Sequence, residues 1–195
     1  MSVQADLEQF AALLRKWNTV QNLVSRETIG DLWPRHIADS LQLSKYLRDT
    51  DDVFLDVGSG GGFPAIPLAI ASRGLDRRFT LIEPIAKKAA FLRTAARELG
   101  LPVKVEAVRI EQFDSRETFD VITSRALASL NYLLQVSLGR LAESGHLLLH
   151  KGRNYRQEVE VAAALFDFDM LVHQSESDPE GVILEITNLL AKSAA

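Results

Sequence analysis

Val53-Phe-Leu-Asp-Val-Gly-Ser-Gly-Gly-Gly-Phe-Pro64 is the stretch that decides how this chain is read. Val53, Phe54, Leu55 and Val57 flank Asp56 as a short apolar run, the pattern of a strand buried on both faces, and glycines follow at 58, 60, 61 and 62. Glycine tolerates positive φ and puts no Cβ between the main chain and a ligand, so a cluster of them after a strand lets a bulky molecule lie against the backbone. A turn that binds nothing needs one glycine. The dinucleotide fingerprint asks for a further glycine, for close packing of helix on strand, where this chain has Phe63 followed by Pro64, and this weakens a nicotinamide or flavin reading.

The spacing Asp56-x-Gly58-x-Gly60-x-Gly62 resembles instead the first motif of S-adenosylmethionine-dependent methyltransferases, whose ligand joins an adenosine to a zwitterionic amino acid. An acidic side chain ahead of the turn, Asp56, can serve the ammonium of such a ligand directly or through water. Arg78-Phe-Thr-Leu-Ile-Glu83 reads as the next strand, and Glu83 ends it near the offset at which α/β nucleotide sites set a carboxylate on the ribose hydroxyls. Carboxylates after strands are common; paired with the glycine turn, Glu83 becomes a candidate ligand.

Periodicity divides the chain in two. Leu7, Phe10, Ala11, Leu14 and Trp17, then Leu32, His36, Leu43 and Leu47, fall near helical spacing and predict N-terminal helices over 5–22 and 29–48. Beyond them strands alternate with helices: strand 53–57, helix 64–73, strand 78–83, helix 85–99, strands 103–107 and 119–123, helix 129–142, strand 145–150 and helix 155–165. That alternation predicts an α/β fold, a doubly wound, Rossmann-like, mostly parallel sheet, and two last strands at 168–174 and 181–188 add an antiparallel hairpin. The expected organisation is an N-terminal helical extension, 1–50, on a ligand-binding domain, 51–195. Trp17 and Trp33 are expected to pack between helices and sheet rather than to stack on bases.

Composition narrows the chemistry. With 195 residues and 47% hydrophobic content the chain can bury a core of ordinary domain size. The absence of cysteine rules out disulfides, thiolate metal ligands and a catalytic thiol, and the four histidines show no ligand spacing, so no metal is expected. The chain lacks a basic start followed by an apolar run, and about 18 uninterrupted apolar residues occur nowhere, which predicts a cytoplasmic protein with no membrane partner. A net charge of −4 argues against bulk attraction to nucleic acid. Yet residues 73–104 hold eight Lys or Arg against three acids, a local +5 that suits either one-sided docking to a polyanion or an ordinary solvated helix face.

Beyond the glycine turn, further segments carry a resemblance that runs through most of the chain. They are Trp17-Asn18 with Asn22-Leu23 and Ser25, Arg35-His36-Ile37-x-Asp39-Ser40, Asp56 to Pro67 with both its prolines, and Phe91-Leu92-Arg93. Arg109-x-Glu111-x-Phe113, Ser124-Arg125-Ala126-x-Ala128-Ser129-Leu130 and Lys151-Gly152 complete the set. Together they resemble the glucose-inhibited division protein B family, the bacterial small-subunit (16S) ribosomal RNA guanine-N7 methyltransferases. The resemblance implies that S-adenosylmethionine is held by Gly58, Gly60, Phe63, Ile110, Glu111 and Arg125, with Glu83 on the ribose where many relatives carry Asp. It implies as partner 16S rRNA, within a small-subunit ribosomal particle or an assembly intermediate, and the expected state is a monomer. The positions named follow successive strands, where an open α/β sheet binds its ligand outside the carboxyl ends.

Arg109, Arg125 and Lys151 are the basic residues expected at the mouth of the site, as the catalytic set, each just after a parallel strand. They could hold the cofactor carboxylate, contact phosphates or hydrogen-bond guanine O6, or form structural ion pairs. His36, a lone helical histidine, is more simply a packed or capping residue. Guanine N7 has an in-plane lone pair and no proton, so methylating it needs no general base, only positioning. A small-molecule methyltransferase is the strongest alternative, since fold and cofactor site do not name the acceptor.

Overall fold

The computed structural model describes residues 2–25, 27–125 and 128–192. Strand β1 (Val53–Val57) lies at the centre of a seven-stranded sheet. On one side of it run β2 (Arg78–Ile82) and β3 (Val103–Glu106). On the other side run β4 (Phe119–Arg125), β5 (Leu141–Lys151), β7 (Val182–Ala191) and β6 (Phe166–Gln174), in that spatial order. β3, β2, β1, β4 and β5 are parallel, and β7 and β6 close the far edge as an antiparallel hairpin, as the sequence predicts. The strand order reverses between β1 and β4. Their carboxyl ends part there into the crevice that open α/β sheets use for ligands.

The alternation of side chains along β1 sorts the two cores. Phe54 joins one cluster with α1 (Val3–Asn18), α3 (Ala65–Ala71) and α4 (Ala86–Leu99). Leu55 and Val57 join the other, with α5 (Leu130–Ser137), α6 (Tyr155–Ala163) and the hairpin. Ser2 caps α1 by accepting the Ala5 N–H, and Leu7, Phe10, Ala11 and Leu14 form its buried stripe. Trp17 packs on Phe91 and Trp33 against the same cluster, both as expected.

Several boundaries differ from expectation, each for a local reason. Helix α1 stops at Asn18 rather than 22, because Asn18 Oδ1 accepts the N–H groups of Leu23 and Val24 at 2.8 and 3.0 Å and fixes a turn instead. The segment expected as one helix over 29–48 is a π turn at Trp33–Ala38, a single α-turn, α2, at Asp39–Leu41, and a 3₁₀ stretch at Gln42–Tyr46. Pro34 brings no N–H, while Ser40 Oγ and Gln42 Nε2 donate to the carbonyls of His36 and Asp39 at 2.6 and 2.9 Å, so the regular ladder is interrupted. Helix α5 ends at Ser137 instead of 142, since Gly139 at φ +74° turns the chain into β5. β4 extends to Arg125, which places Arg125 beside His150 on β5.

Phe10 of α1 meets Phe63 of the glycine turn edge to face at 5.5 Å and Phe91 of α4 at 6.3 Å, and Phe10 and Phe91 are fully buried. Truncating Phe10 to Ala should cost about 3–5 kcal/mol. Chemical denaturation should show the midpoint fall with little change in slope, and a loss below about 1 kcal/mol would mean that α1 is not part of the core.

Candidate functional site

The glycine turn follows β1 and is tied to β2. Gly58 and Ser59 donate their N–H groups to the Ile82 carbonyl at 3.0 and 3.1 Å, and Gly62 donates to Ser59 at 2.7 Å. Gly62 sits at φ +90°, and a Cβ there would lie 2.7 Å from Ile66 Cγ1, so no other residue fits without moving α3. Glu83 is buried and grips both lips of the crevice: Oε2 accepts the Gly60 N–H and Oε1 the Ile85 N–H, each at 2.8 Å. A carboxylate holding one N–H per oxygen keeps lone pairs for two hydroxyls. Around these groups is a cavity of about 320 Å³, walled also by Gly58, Phe63, Lys88, His36 and Arg125. Bare backbone, a carboxylate for a ribose and a cation for a carboxylate fit S-adenosylmethionine.

Asp56 lies behind the turn, buried and outside the cavity wall. Its Oδ1 accepts from Thr123 Oγ1 at 2.6 Å, and Oδ2 has no partner among the described residues. Burial raises its pKa to about 7, against the pull of the Ser59 and Thr123 hydrogen bonds and of Arg125. A carboxyl so placed does not meet a ligand ammonium directly.

Arg125, at the end of β4, is held by one turn of the N-terminal helices. Nη1 donates to the Arg35 carbonyl and to Asp39 Oδ2, both at 2.9 Å, and Nη2 donates to His36 Nδ1. The guanidinium also lies over the Phe63 ring, 5.2 Å from its centre, on which His36 packs at 5.0 Å. Burial, with Arg125 next, lowers the His36 pKa to about 4, so the imidazole is neutral and its proton belongs on Nε2. Asp39 stays ionised although burial opposes it: His150, Ser177 and Arg125 hold its pKa below the usual carboxylate value.

The other expected residues are placed more variously. Ile110 is buried among the side chains of the second core, and Glu111 is exposed with Oε1 accepting from Tyr132 at 2.7 Å. Arg109 is exposed at the start of the same 3₁₀ turn, Ile110–Gln112, and lines neither cavity at the carboxyl edge. Lys151, expected at the mouth, has a side chain only 6% exposed, and its ammonium donates to the Ala128 carbonyl and to Glu158 at 2.7 Å each. Its charge is matched inside the fold, between the start of α5 and α6, at the wall of a second cavity that Arg125 also lines. Ala126, third residue of the Ser-Arg-Ala segment, lies outside the described residues.

Much of the local +5 is engaged with partners in the fold. Arg73 pairs with buried Asp6, Arg77 binds the carbonyls of Arg48 and Asp51, Arg93 that of Val105, and Lys104 pairs with Glu106. Lys88, in the first turn of α4, lines the cavity, and Lys87 next to it is exposed. Sequence reasoning missed Asp39 as the anchor of Arg125, and it missed His150 and the turn 175–181, which share a second cavity with Arg125. No short-range signal marks these groups, because they meet only when the hairpin folds back.

Comparison with known proteins agrees with this geometry. The family model for rRNA small subunit methyltransferase G (GidB) matches residues 3–180. The chain is 44% identical over 182 residues to the ribosomal RNA small subunit methyltransferase G of Cereibacter sphaeroides, covering 92% of this chain and 87% of that protein. It is 45% identical over 187 residues to the protein of the same name from Brucella anthropi, covering 95% and 87%. Among solved structures, it resembles a glycopeptide N-methyltransferase complexed with S-adenosylmethionine, with a TM-score of 0.64 at 11% identity over 78% of this chain and 93% of that one. A putative O-methyltransferase from Klebsiella pneumoniae gives a TM-score of 0.64 at 15% identity over 94% and 90%. The structural likenesses establish the fold.

Two measurements check the site. Glu83→Ala strips the acceptor from two backbone N–H groups and should weaken S-adenosylmethionine binding by about 1.5–3 kcal/mol in calorimetry, with Glu83→Asp losing much less; equal affinities for the two would remove Glu83 from the ribose. The Asp56 shift carries a sign. Its folded pKa of about 7 exceeds the unfolded value, so the ligand-free fold holds the proton more tightly and loses stability as pH rises from about 4 to 7. Asp56→Asn removes that slope. The melting temperature of the variant minus that of the wild type should increase across this window and level off above it, whereas a difference independent of pH would contradict a raised pKa.

Proposed function

The chain belongs to the rRNA small subunit methyltransferase G (GidB) family, and on that premise we propose how its carboxyl-edge crevice methylates N7 of a guanine in 16S rRNA, with S-adenosylmethionine as donor. The observation that carries the reading is the pair of cavities meeting at Arg125, one floored by the glycine turn and Glu83, the other open toward the N-terminal helices. The backbone at Gly58 and Gly60 and the side chains of Phe63 and Glu83 would hold the donor, with Ile110 through its backbone, Glu111 from the β3 side and Arg125 near the donor's carboxylate. When bound, the donor supplies an electrophilic sulfonium methyl.

The remaining work is positioning. Guanine N7 offers a lone pair in the base plane and carries no proton, so no side chain has to act as general base, and no covalent enzyme intermediate is required. This accords with a site whose one histidine near the donor, His36, is neutral and committed to Arg125. Packing against Phe63 and pairing with Asp39 keep Arg125 fixed at the junction.

RNA meets the protein across the carboxyl edge, on the exposed side chains of Arg35, Lys87, Arg109 and Arg153 and the half-buried Lys88. Residues 1–50 act as an extension of the methyltransferase domain, 51–195, supplying Arg35 and the turn that holds Arg125. No helix among the described residues is long and apolar enough to cross a membrane. A cytoplasmic monomer acting on a ribosomal particle or assembly intermediate completes the proposal.

The direct test is to map 7-methylguanine in the small-subunit RNA of a deletion strain and of the same strain complemented; an unchanged map would overturn the reading. Electrostatics give a second check. Affinity for RNA should fall steeply with salt, and Lys87→Ala/Arg153→Ala, at two exposed residues that line neither cavity, should flatten the log–log slope by roughly 0.7–0.9 for each phosphate no longer neutralised, with cofactor affinity retained. Lys151→Ala should leave the slope alone and lower the melting temperature, because its partner is Glu158. A slope change in Lys151→Ala with none in the double variant would reverse these assignments.

A further inference from the structure

The second cavity, about 370 Å³, opens over the ends of β4 and β5 between the Arg35–Asp39 turn and the hairpin turn 175–181. His36 and Arg125 line both it and the cofactor cavity, so the two meet at the guanidinium. Its size suits a single purine rather than a stacked duplex, and enzymes that modify a base take it out of the stack. Resting on the methyltransferase reading above, we infer that this cavity receives the target guanine as an unstacked base, with Asp178 accepting from its N1–H and N2–H₂ and Arg125 donating to O6.

The hairpin turn is built to present Asp178. Ser175 Oγ accepts the N–H groups of Ser177 and Asp178 at 3.3 and 3.2 Å, and Asp178 Oδ1 accepts the Glu180 N–H at 3.0 Å. The side chain rests on Gly181, where a Cβ would come within 3.0 Å of Asp178 Cβ and 3.3 Å of its Cγ, so that glycine makes its seat. Asp39 ties the two readers together: its Oδ2 holds Arg125 and its Oδ1 accepts from Ser177 Oγ in the turn. Gln42 adds a brace, accepting the Glu176 N–H at 2.9 Å.

A cation and a carboxylate lining one cavity match guanine, which presents O6 as acceptor beside N1–H and N2–H₂ as donors. Adenine presents a donor beside an acceptor and mismatches both. The pinning of Arg125 matters for the chemistry as well. A free guanidinium takes O6 and N7 of guanine together, which would cover the lone pair that has to attack. Arg125 has committed three of its five N–H donors to Arg35, Asp39 and His36, leaving enough for O6 and no freedom to swing onto N7.

The test compares single-turnover methyl transfer to small-subunit RNA carrying guanine or inosine, which lacks the 2-amino group, at the mapped target. It is run with wild type, Asp178→Asn and Asp178→Ala, and S-adenosylmethionine affinity is measured alongside. Wild type should be about 10- to 100-fold slower on inosine, the worth of one hydrogen bond to a charged acceptor. Asp178→Ala should be slowed on guanine, indifferent to the exchange and unchanged in cofactor affinity, with Asp178→Asn between. A variant that keeps the wild-type guanine-to-inosine ratio would overturn the cavity assignment alone. A wild type that methylates no guanine of this RNA would overturn the functional reading and this inference with it.

Discussion

A guanidinium at the end of β4 takes three acceptors from one turn of the N-terminal helices, and the geometry of the whole carboxyl edge hangs on that contact. Arg125 cannot reach Arg35, Asp39 and His36 unless the irregular segment 33–46 lies across the crevice. That segment is irregular because Pro34 and the side chains of Ser40 and Gln42 interrupt its ladder. Phe63 then fills the space beneath, packed on one side by Phe10 and on the other by His36 and Arg125. A charged group buried this far needs every partner it has. The result is a rigid divider with a cavity on either side.

Two other buried charges sit beside opposite ones. Asp6 is neutralised by Arg73 at 2.6 Å, which fastens α1 to the end of α3, and Lys151 is matched by Glu158 and the Ala128 carbonyl. His146, within the sheet, sits between Asp51 at 3.1 Å and Glu185 at 3.3 Å, and Glu185 also accepts from His173. Asp56 differs. It has one hydroxyl donor and an oxygen without a partner among the described residues, and its pKa moves up to about 7. The carboxyl beneath the cofactor turn is thus a buried polar group that the fold leaves partly unsatisfied.

Much of the fold is legible in the chain because it rests on local physics. The β1 run and its glycines need only short-range rules, as does the closing of α4 by Gly100 at φ +59°. Doubly wound order follows from alternation, and Glu83 follows from its offset to the glycine turn. The departures are local as well. Helix α5 stops short of its expected end because Gly139 takes a positive φ two residues after Ser137, and α1 stops short because Asn18 serves the following turn as an acceptor. Apolar periodicity registers neither effect.

The sheet, the cofactor turn and the family can be read from the chain alone, since each depends on residues adjacent in it or at fixed offsets along it. Which cations are engaged, and by what, depends on how the layers pack. Lys151 and Arg125 look alike in sequence, each basic and each after a strand, yet one is matched by Glu158 from the next helix and the other by Asp39 from a different layer of the fold. Asp178 likewise gains a role only because the hairpin brings it to Arg125 in one cavity. Partners so far apart in the chain are chosen by how the hairpin and the N-terminal turn pack on the sheet, and side-chain periodicity carries no record of that choice.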